Sequence, residues 1–195
     1  MLALTVTAAT AQVPDNLVVQ GIPAHTADLR ARTGRYLEFR TASFQGWHPT
    51  RREMLIVTRF ADTAQLHRVQ QPGGARRQLT FFTEPVAGGR FQPRQGKYIV
   101  FSQDSGGGEF FQLHRYDVAE GRVTQLTDGK SRNTGARWSH SGGRIAWSST
   151  RRTGRDTDIW VMDPEKPAEA KLLIERQGGG WQVSDWSEDE SIEES

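Results

Sequence analysis

Apolar residues in this chain fall in short runs punctuated by turn-forming residues, which is the patterning of strands rather than of helices. Met54-Leu55-Ile56-Val57, Tyr98-Ile99-Val100-Phe101 and Ile145-Ala146-Trp147 occupy equivalent slots. An unbroken apolar run such as Tyr98 to Phe101 is expected where a strand is buried on both faces. A second set follows after a loop: Leu66-His67-Arg68-Val69, Leu113-His114-Arg115-Tyr116 and Ile159-Trp160-Val161-Met162, in step at 47 and 46 residues. A third set, Leu79-Thr80, Leu126-Thr127 and Leu173-Ile174, is spaced by 47 and 47, and the aromatics Trp47, Phe91, Trp138 and Trp186 open successive units at 44, 47 and 48.

An internal repeat of this length with strand signals inside it predicts an all-β fold, a β-propeller of four-stranded blades. The second unit is the most legible. A strand ends at Phe91, the turn Gln92-Pro93-Arg94-Gln95-Gly96 follows, and then come Lys97 to Ser102, a loop from Asp104 to Glu109, Phe110 to Asp117, the Glu120-Gly121 turn and Val123 to Thr127. Glycine and proline mark the turns. The reading gives blades over 36–80, 81–127 and 128–174, with 175–195 as a partial fourth blade and acidic tail. Trp186-Ser187-Glu188-Asp189-Glu190 falls in register with Trp138-Ser139-His140-Ser141-Gly142. Ahead of the blades, 12–35 is a lead-in in which Thr26 to Tyr36 reads as a short helix, with Thr26 as N-cap and Gly34 near its end. A closed propeller needs about four to eight blades, so three and a fraction make an incomplete one, expected to be part of a longer protein.

Composition adds little that changes this picture. The 35% apolar content, 20 glycines and 8 prolines suit a turn-rich β protein. The absence of cysteine removes disulfides and thiolate metal ligands. Net charge is +2, but residues 184–195 hold six acidic and no basic side chains, leaving +8 from 25 basic and 17 acidic residues in the rest. That surplus is scattered through turns such as Arg51-Arg52, Arg76-Arg77 and Arg151-Arg152, with no basic stripe interleaved with aromatics, so nucleic acid is not an expected partner. The opening MLALTVTAATA is small and apolar, and Ala9-Thr10-Ala11 before Gln12 reads as a cleavage site, so 1–11 is taken as a signal-peptide remnant and the protein as periplasmic or secreted. The run is too short to span a bilayer.

The phrase ARWSHSGGRIAWSS followed by DIWVMDPE resembles the "WSPDGKRIAF…DIYVMD" blade motif shared by the TolB propeller and the N-terminal propellers of prolyl-oligopeptidase-family serine peptidases. The first unit, RTASFQGWHPTRREMLIVTRFADTAQLHRVQQPGGARRQLTFFTEPV, looks most like the peptidase branch. The match covers roughly residues 20 to 190. In that family the propeller caps an α/β-hydrolase domain and screens which peptides reach a Ser-His-Asp triad. This sequence departs from the pattern: it has no G-x-S-x-G nucleophile elbow and no room for a hydrolase domain, so no catalytic residue is carried over and the chain alone is expected to be inactive. The resemblance implies a substrate-gating propeller that meets peptides through the missing domain, or alternatively a TolB-like periplasmic scaffold that binds protein partners.

The remaining chemistry-bearing residues have plainer readings. His140-Ser141-Gly142-Gly143 sits in the blade-opening turn slot, not on an elbow. Asp104-Ser105-Gly106-Gly107-Gly108 joins two strands and lacks the helix and lysine that a phosphate loop needs. His67 and His114 occupy equivalent positions in different blades, and no histidine pair has metal-ligand spacing, so neither metal nor cofactor is expected. Glu188, Asp189 and Glu190 follow an Asp-Trp, as do the paired glutamates with which dipeptidyl peptidases of the resembled family hold a substrate's amino group. They are the substrate-amine candidates, although their register with the blade-opening turn favours a turn.

Overall fold

In each repeat four consecutive strands form an up-and-down antiparallel sheet. The computed structural model describes residues 18–190 apart from 24–25, 38–39, 105 and 179, so the expected signal-peptide remnant lies outside the described residues. The chain divides into two units, 1–40 and 41–195.

Within the first unit, helix α1 runs Ala27–Leu37. The Thr26 hydroxyl caps it by accepting the Leu29 N–H at 3.2 Å, and Asp28 in the first turn faces Arg32 at 3.7 Å. Gly34 lies in the last turn of the helix, near its end as expected.

The second unit contains the blades. The first is β1 (Ala42–Trp47), β2 (Met54–Thr58), β3 (Gln65–Val69) and β4 (Arg77–Gln78). The second is β5 (Val86–Phe91), β6 (Tyr98–Gln103), β7 (Gln112–Asp117) and β8 (Val123–Gln125). The third is β9 (Asn133–Trp138), β10 (Ile145–Ser149), β11 (Asp158–Met162) and β12 (Lys171–Ile174). The fold is an incomplete β-propeller of four-stranded blades. The expected first blade began at residue 36, whereas Tyr36 and Leu37 close the helix and the first strand starts at Ala42.

Blade faces alternate as the unbroken apolar runs predict. Ile99 and Phe101 on β6 join Leu55, Leu66, Val86, Phe91 and Tyr116 in a core between the first two blades. Val100, between them in sequence, points the other way and joins Leu113, Leu126, Ile145, Trp147 and Met162 between the second and third. One strand therefore contributes to two cores, and polar residues have no place in its centre.

The fourth strands of the first two blades are shorter than the sequence suggests. Leu79-Thr80 and Leu126-Thr127 lie just beyond β4 and β8, where the Thr80 hydroxyl accepts the Leu66 N–H and the Thr127 hydroxyl the Leu113 N–H, each at 3.0 Å. A side-chain oxygen replaces the next backbone carbonyl, so the ladder ends there. The first strand of every blade carries a bulge: the ladder skips Gln45 in β1 and Ala87 in β5, and two residues of β9, Gly135 and Ala136, face Trp147.

Candidate functional site

Antiparallel pairing puts the turns after the first and third strands of all blades at one end, and at that end successive blades are joined by polar contacts. At the first junction the bulge in β1 turns Gln45 toward β5, where its side-chain oxygen accepts the Gly89 N–H at 3.2 Å and its carbonyl accepts from Arg90 at 3.2 Å. His48 presses on Gly96 so closely that a Cβ there would lie 2.4 Å from His48 Nε2. Burial, reinforced by Arg51, lowers the His48 pKa. Glu53, also buried, accepts from Arg51 Nε at 2.7 Å and pairs with Arg68 at 3.5 Å.

At the second junction Gln92 Nε2 donates to the Gly142 carbonyl at 2.9 Å and Arg94 Nε to the His140 carbonyl at 3.1 Å. Arg115 reaches the Pro164 carbonyl at 2.7 Å, and the Tyr98 hydroxyl donates to Glu165 at 2.8 Å. The hydrogen bond to Glu165 raises the Tyr98 pKa, with burial adding to it. Between these contacts lies a polar cleft of about 280 Å³ lined by Gln92, Lys97, Tyr98, Trp138, Asp163 and Glu165 among others.

The third junction is made by the segment after β12. Trp186 is buried, its Nε1 donates to the Arg137 carbonyl at 3.2 Å, and Arg144 lies over its ring at 5.2 Å. His140 Nε2 meets the Trp186 carbonyl at 3.1 Å. The Glu190 N–H donates to the Ser187 carbonyl at 3.0 Å, as Gly142 does to Ser139 at 2.9 Å. Glu190 has φ +54° where Gly142 has +77°, so both segments make the same turn. The opening turn of a further blade is thus present on the third, although residues 181–190 contain no strand.

The substrate-amine candidates sit on this turn. Glu190 is directed at the third blade: its carboxylate accepts from the Ser141 N–H and, at 2.9 Å, from the Ser141 hydroxyl, and lies 3.7 Å from Arg144. The Ser141 N–H is the first cause of its lowered pKa. Glu188 and Asp189 are exposed.

The histidines and glycine loop fall as follows. His67 and His114 are buried in separate blades, each with Nδ1 near the carbonyl two residues earlier, at 3.0 and 3.3 Å. Among the described residues no group of three or more His, Asp or Glu side chains could hold a metal ion. Gly106 to Gly108 belong to the loop between β6 and β7. No helix of the described residues is long and apolar enough to cross a membrane.

Sequence reasoning missed one repeated polar position. Gln65, Gln112 and Asp158 open the third strand of each blade and are buried. Gln65 binds the Phe82 and Glu84 carbonyls at 3.0 and 3.2 Å, and Gln112 the Ser131 carbonyl at 2.7 Å. Asp158 takes two hydrogen bonds from Arg152 at 2.8 and 3.0 Å and the Arg176 N–H at 3.0 Å. All three fasten the segment leading to the next blade. Their spacing of 47 and 46 residues was the available signal.

No protein-family model matches the chain, and no curated protein matches it. Solved structures do. The proposed TolB of Agrobacterium tumefaciens superposes with a TM-score of 0.57 at 21% identity, over 70% of this chain and 47% of that one. A prolyl endopeptidase gives a TM-score of 0.57 at 18% identity, over 76% of this chain and 25% of that one. Dipeptidyl peptidase 4 of Porphyromonas gingivalis gives 0.54 at 14% identity, over 64% and 17%. The chain thus spans less than half the length of each, and the likeness is one of fold, a β-propeller.

Proposed function

We propose that this chain is the propeller portion of an exported serine peptidase of the prolyl-oligopeptidase type, acting as a gate for peptide substrates. The single observation that carries the reading is the outer face of the first blade. Trp47 is 64% exposed and Phe44 55%, whereas of the equivalents of Trp47, Phe91 and Trp186 are buried against the preceding blade and Trp138 is half-buried. Such a face calls for another blade, so the chain works as part of a larger propeller. The peptidase branch is favoured by the resemblance of the first unit and by the prolyl endopeptidase match, which covers more of this chain than the TolB match does. In the intact protein a serine nucleophile from sequence outside these residues would form the acyl-enzyme and water would release it. The blades contribute selection, not bond cleavage. Export rests on the apolar opening residues and places the protein in the periplasm or outside the cell.

A second reading, a TolB-like periplasmic scaffold for protein partners, is favoured by the higher identity to the TolB structure. Sequencing the DNA on either side of the coding region separates the two. Further blade repeats leading to a G-x-S-x-G domain support the peptidase; further blades without one support the scaffold. Unrelated flanking sequence would overturn both.

A further inference from the structure

Gln45, two residues before Trp47, is the side chain that bridges β1 to β5. The residue two before Phe91 is Gly89, which has no side chain with which to bridge β5 to β9, and among the described residues no hydrogen bond joins those two strands. A cavity of about 270 Å³ is lined by both strands there, around Gly88 and Gly89 on β5 and Ala136 on β9, with Gln45 at its edge. A Cβ at Gly88 would lie 2.9 Å from the Gln45 side-chain oxygen, and one at Gly89 would lie 3.0 Å from Phe101 Cβ. Neither glycine can be replaced by a larger residue without displacing a neighbour, so the space is kept open by the backbone itself.

Its charge narrows the class of ligand. Two arginines, Arg90 and Arg137, line the cavity and no acidic side chain does. Both are exposed. Arg90 donates to the Gln45 carbonyl at 3.2 Å and Arg137 to the Ala136 carbonyl at 3.3 Å, so each guanidinium is held by a residue of the cavity wall. Neither is paired with a carboxylate among the described residues, and each has further N–H donors to offer. A guanidinium fork matches a carboxylate with two parallel hydrogen bonds. Between the arginines the reachable wall is small and apolar: Gly88, Gly135 and Ala136 are half-buried and Ala87 exposed. A cation is repelled here, and an anion with an apolar body fits better than a bare inorganic ion.

We propose that this cavity receives the C-terminal residue of a peptide, its α-carboxylate accepting from Arg90 and Arg137 and its side chain lying along the small residues of β5 and β9. This deepens the proposed function and rests on the reading that the blades handle polypeptide. Only at its C-terminus does a peptide join a carboxylate to the carbon that bears an apolar side chain, so that end fits where an internal acidic residue does not. An amidated C-terminus offers the arginines no charge and is refused.

Nuclear magnetic resonance of the full chain, titrated with acetyl-leucine, tests it. The backbone amide signals of Gly88, Gly135 and Ala136 should move saturably, with a Kd on the order of 1 mM. Acetyl-leucine amide, the same body without the charge, should bind at least about tenfold more weakly. Arg137→Gln should weaken acetyl-leucine about tenfold, and because its guanidinium bonds only the neighbouring carbonyl while Trp186 holds its main-chain carbonyl, the blade contacts stay in place. Arg122→Gln, beside the Glu120-Gly121 turn and outside the cavity, should leave binding unchanged, which separates the site from net charge. Equal binding of acid and amide, equal binding of acetate, or an unchanged Arg137→Gln would overturn the site; hexanoate binding as tightly as acetyl-leucine would overturn its assignment to a peptide end. Saturable shifts elsewhere with acetyl-tetraalanine amide, and none at the cavity with acetyl-leucine up to about 20 mM, would overturn the site and leave peptide handling standing. No shift with either would count against both.

Discussion

Gly96 shows how tightly single residues are constrained where blades meet. Its φ of +66° is left-handed, and a Cβ would collide with the buried His48 ring. Gly107 has a similar φ of +74° but open space around it. Gly107→Ala should therefore cost about 1 kcal/mol, the conformational penalty alone, and Gly96→Ala about 3 kcal/mol. Urea denaturation of the two variants checks this; equal losses would contradict the contact. A second residue-scale effect concerns pH. Burial lowers the pKa of both His67 and His114 from the ordinary 6.5, with Arg76 adding to the effect at His67 and the Gln65 and Gln112 carbonyls opposing it. The unfolded chain then binds protons more readily than the folded one. Stability from these groups is fully present above 6.5 and falls as pH drops below it toward the folded values. The urea midpoint should be lower at pH 5.5 than at pH 7.5, and His114→Gln should reduce the difference.

At the scale of the element, the Leu-Thr pairs that made the repeat visible have a physical role. Each threonine hydroxyl takes the N–H of the third strand's leucine, while the leucine just before it serves a core: Leu79 packs against the first and Leu126 lies in the second. Thr80→Val and Thr127→Val preserve shape and remove the acceptor, so each should destabilise by about 1–3 kcal/mol. Ile174 stands in that slot in the third blade, and Ile174→Val, which removes no hydrogen bond, should cost less. Calorimetry on the three variants gives the order. These pairs were legible because the same local need recurs every 47 residues. The bulges were not, since the extra residue at Gln45 or Ala87 alters pairing without changing the apolar pattern. Nor could the sequence show that Glu190 would adopt a glycine conformation and turn its carboxylate toward Ser141 rather than outward, because that depends on the packing of one segment against another blade.

For the molecule, blades are stabilised chiefly by one another. The second blade has a core on each face, while the first presents Phe44 and Trp47 to solvent, their rings 5.5 Å apart. That stacking was readable in the apolar runs buried on both faces; the identity of the polar groups at each junction, such as Gln92 on Gly142, required the structure. The blades form an open series whose first member has an uncovered face. Amide hydrogen exchange resolved by strand distinguishes an uncovered face from a covered one. Exchange should be slowest in β6 and β7 of the second blade and much faster in β1 of the first. Protection of β1 equal to that of β6, unchanged on dilution, would show the outer face to be covered and would contradict the open series.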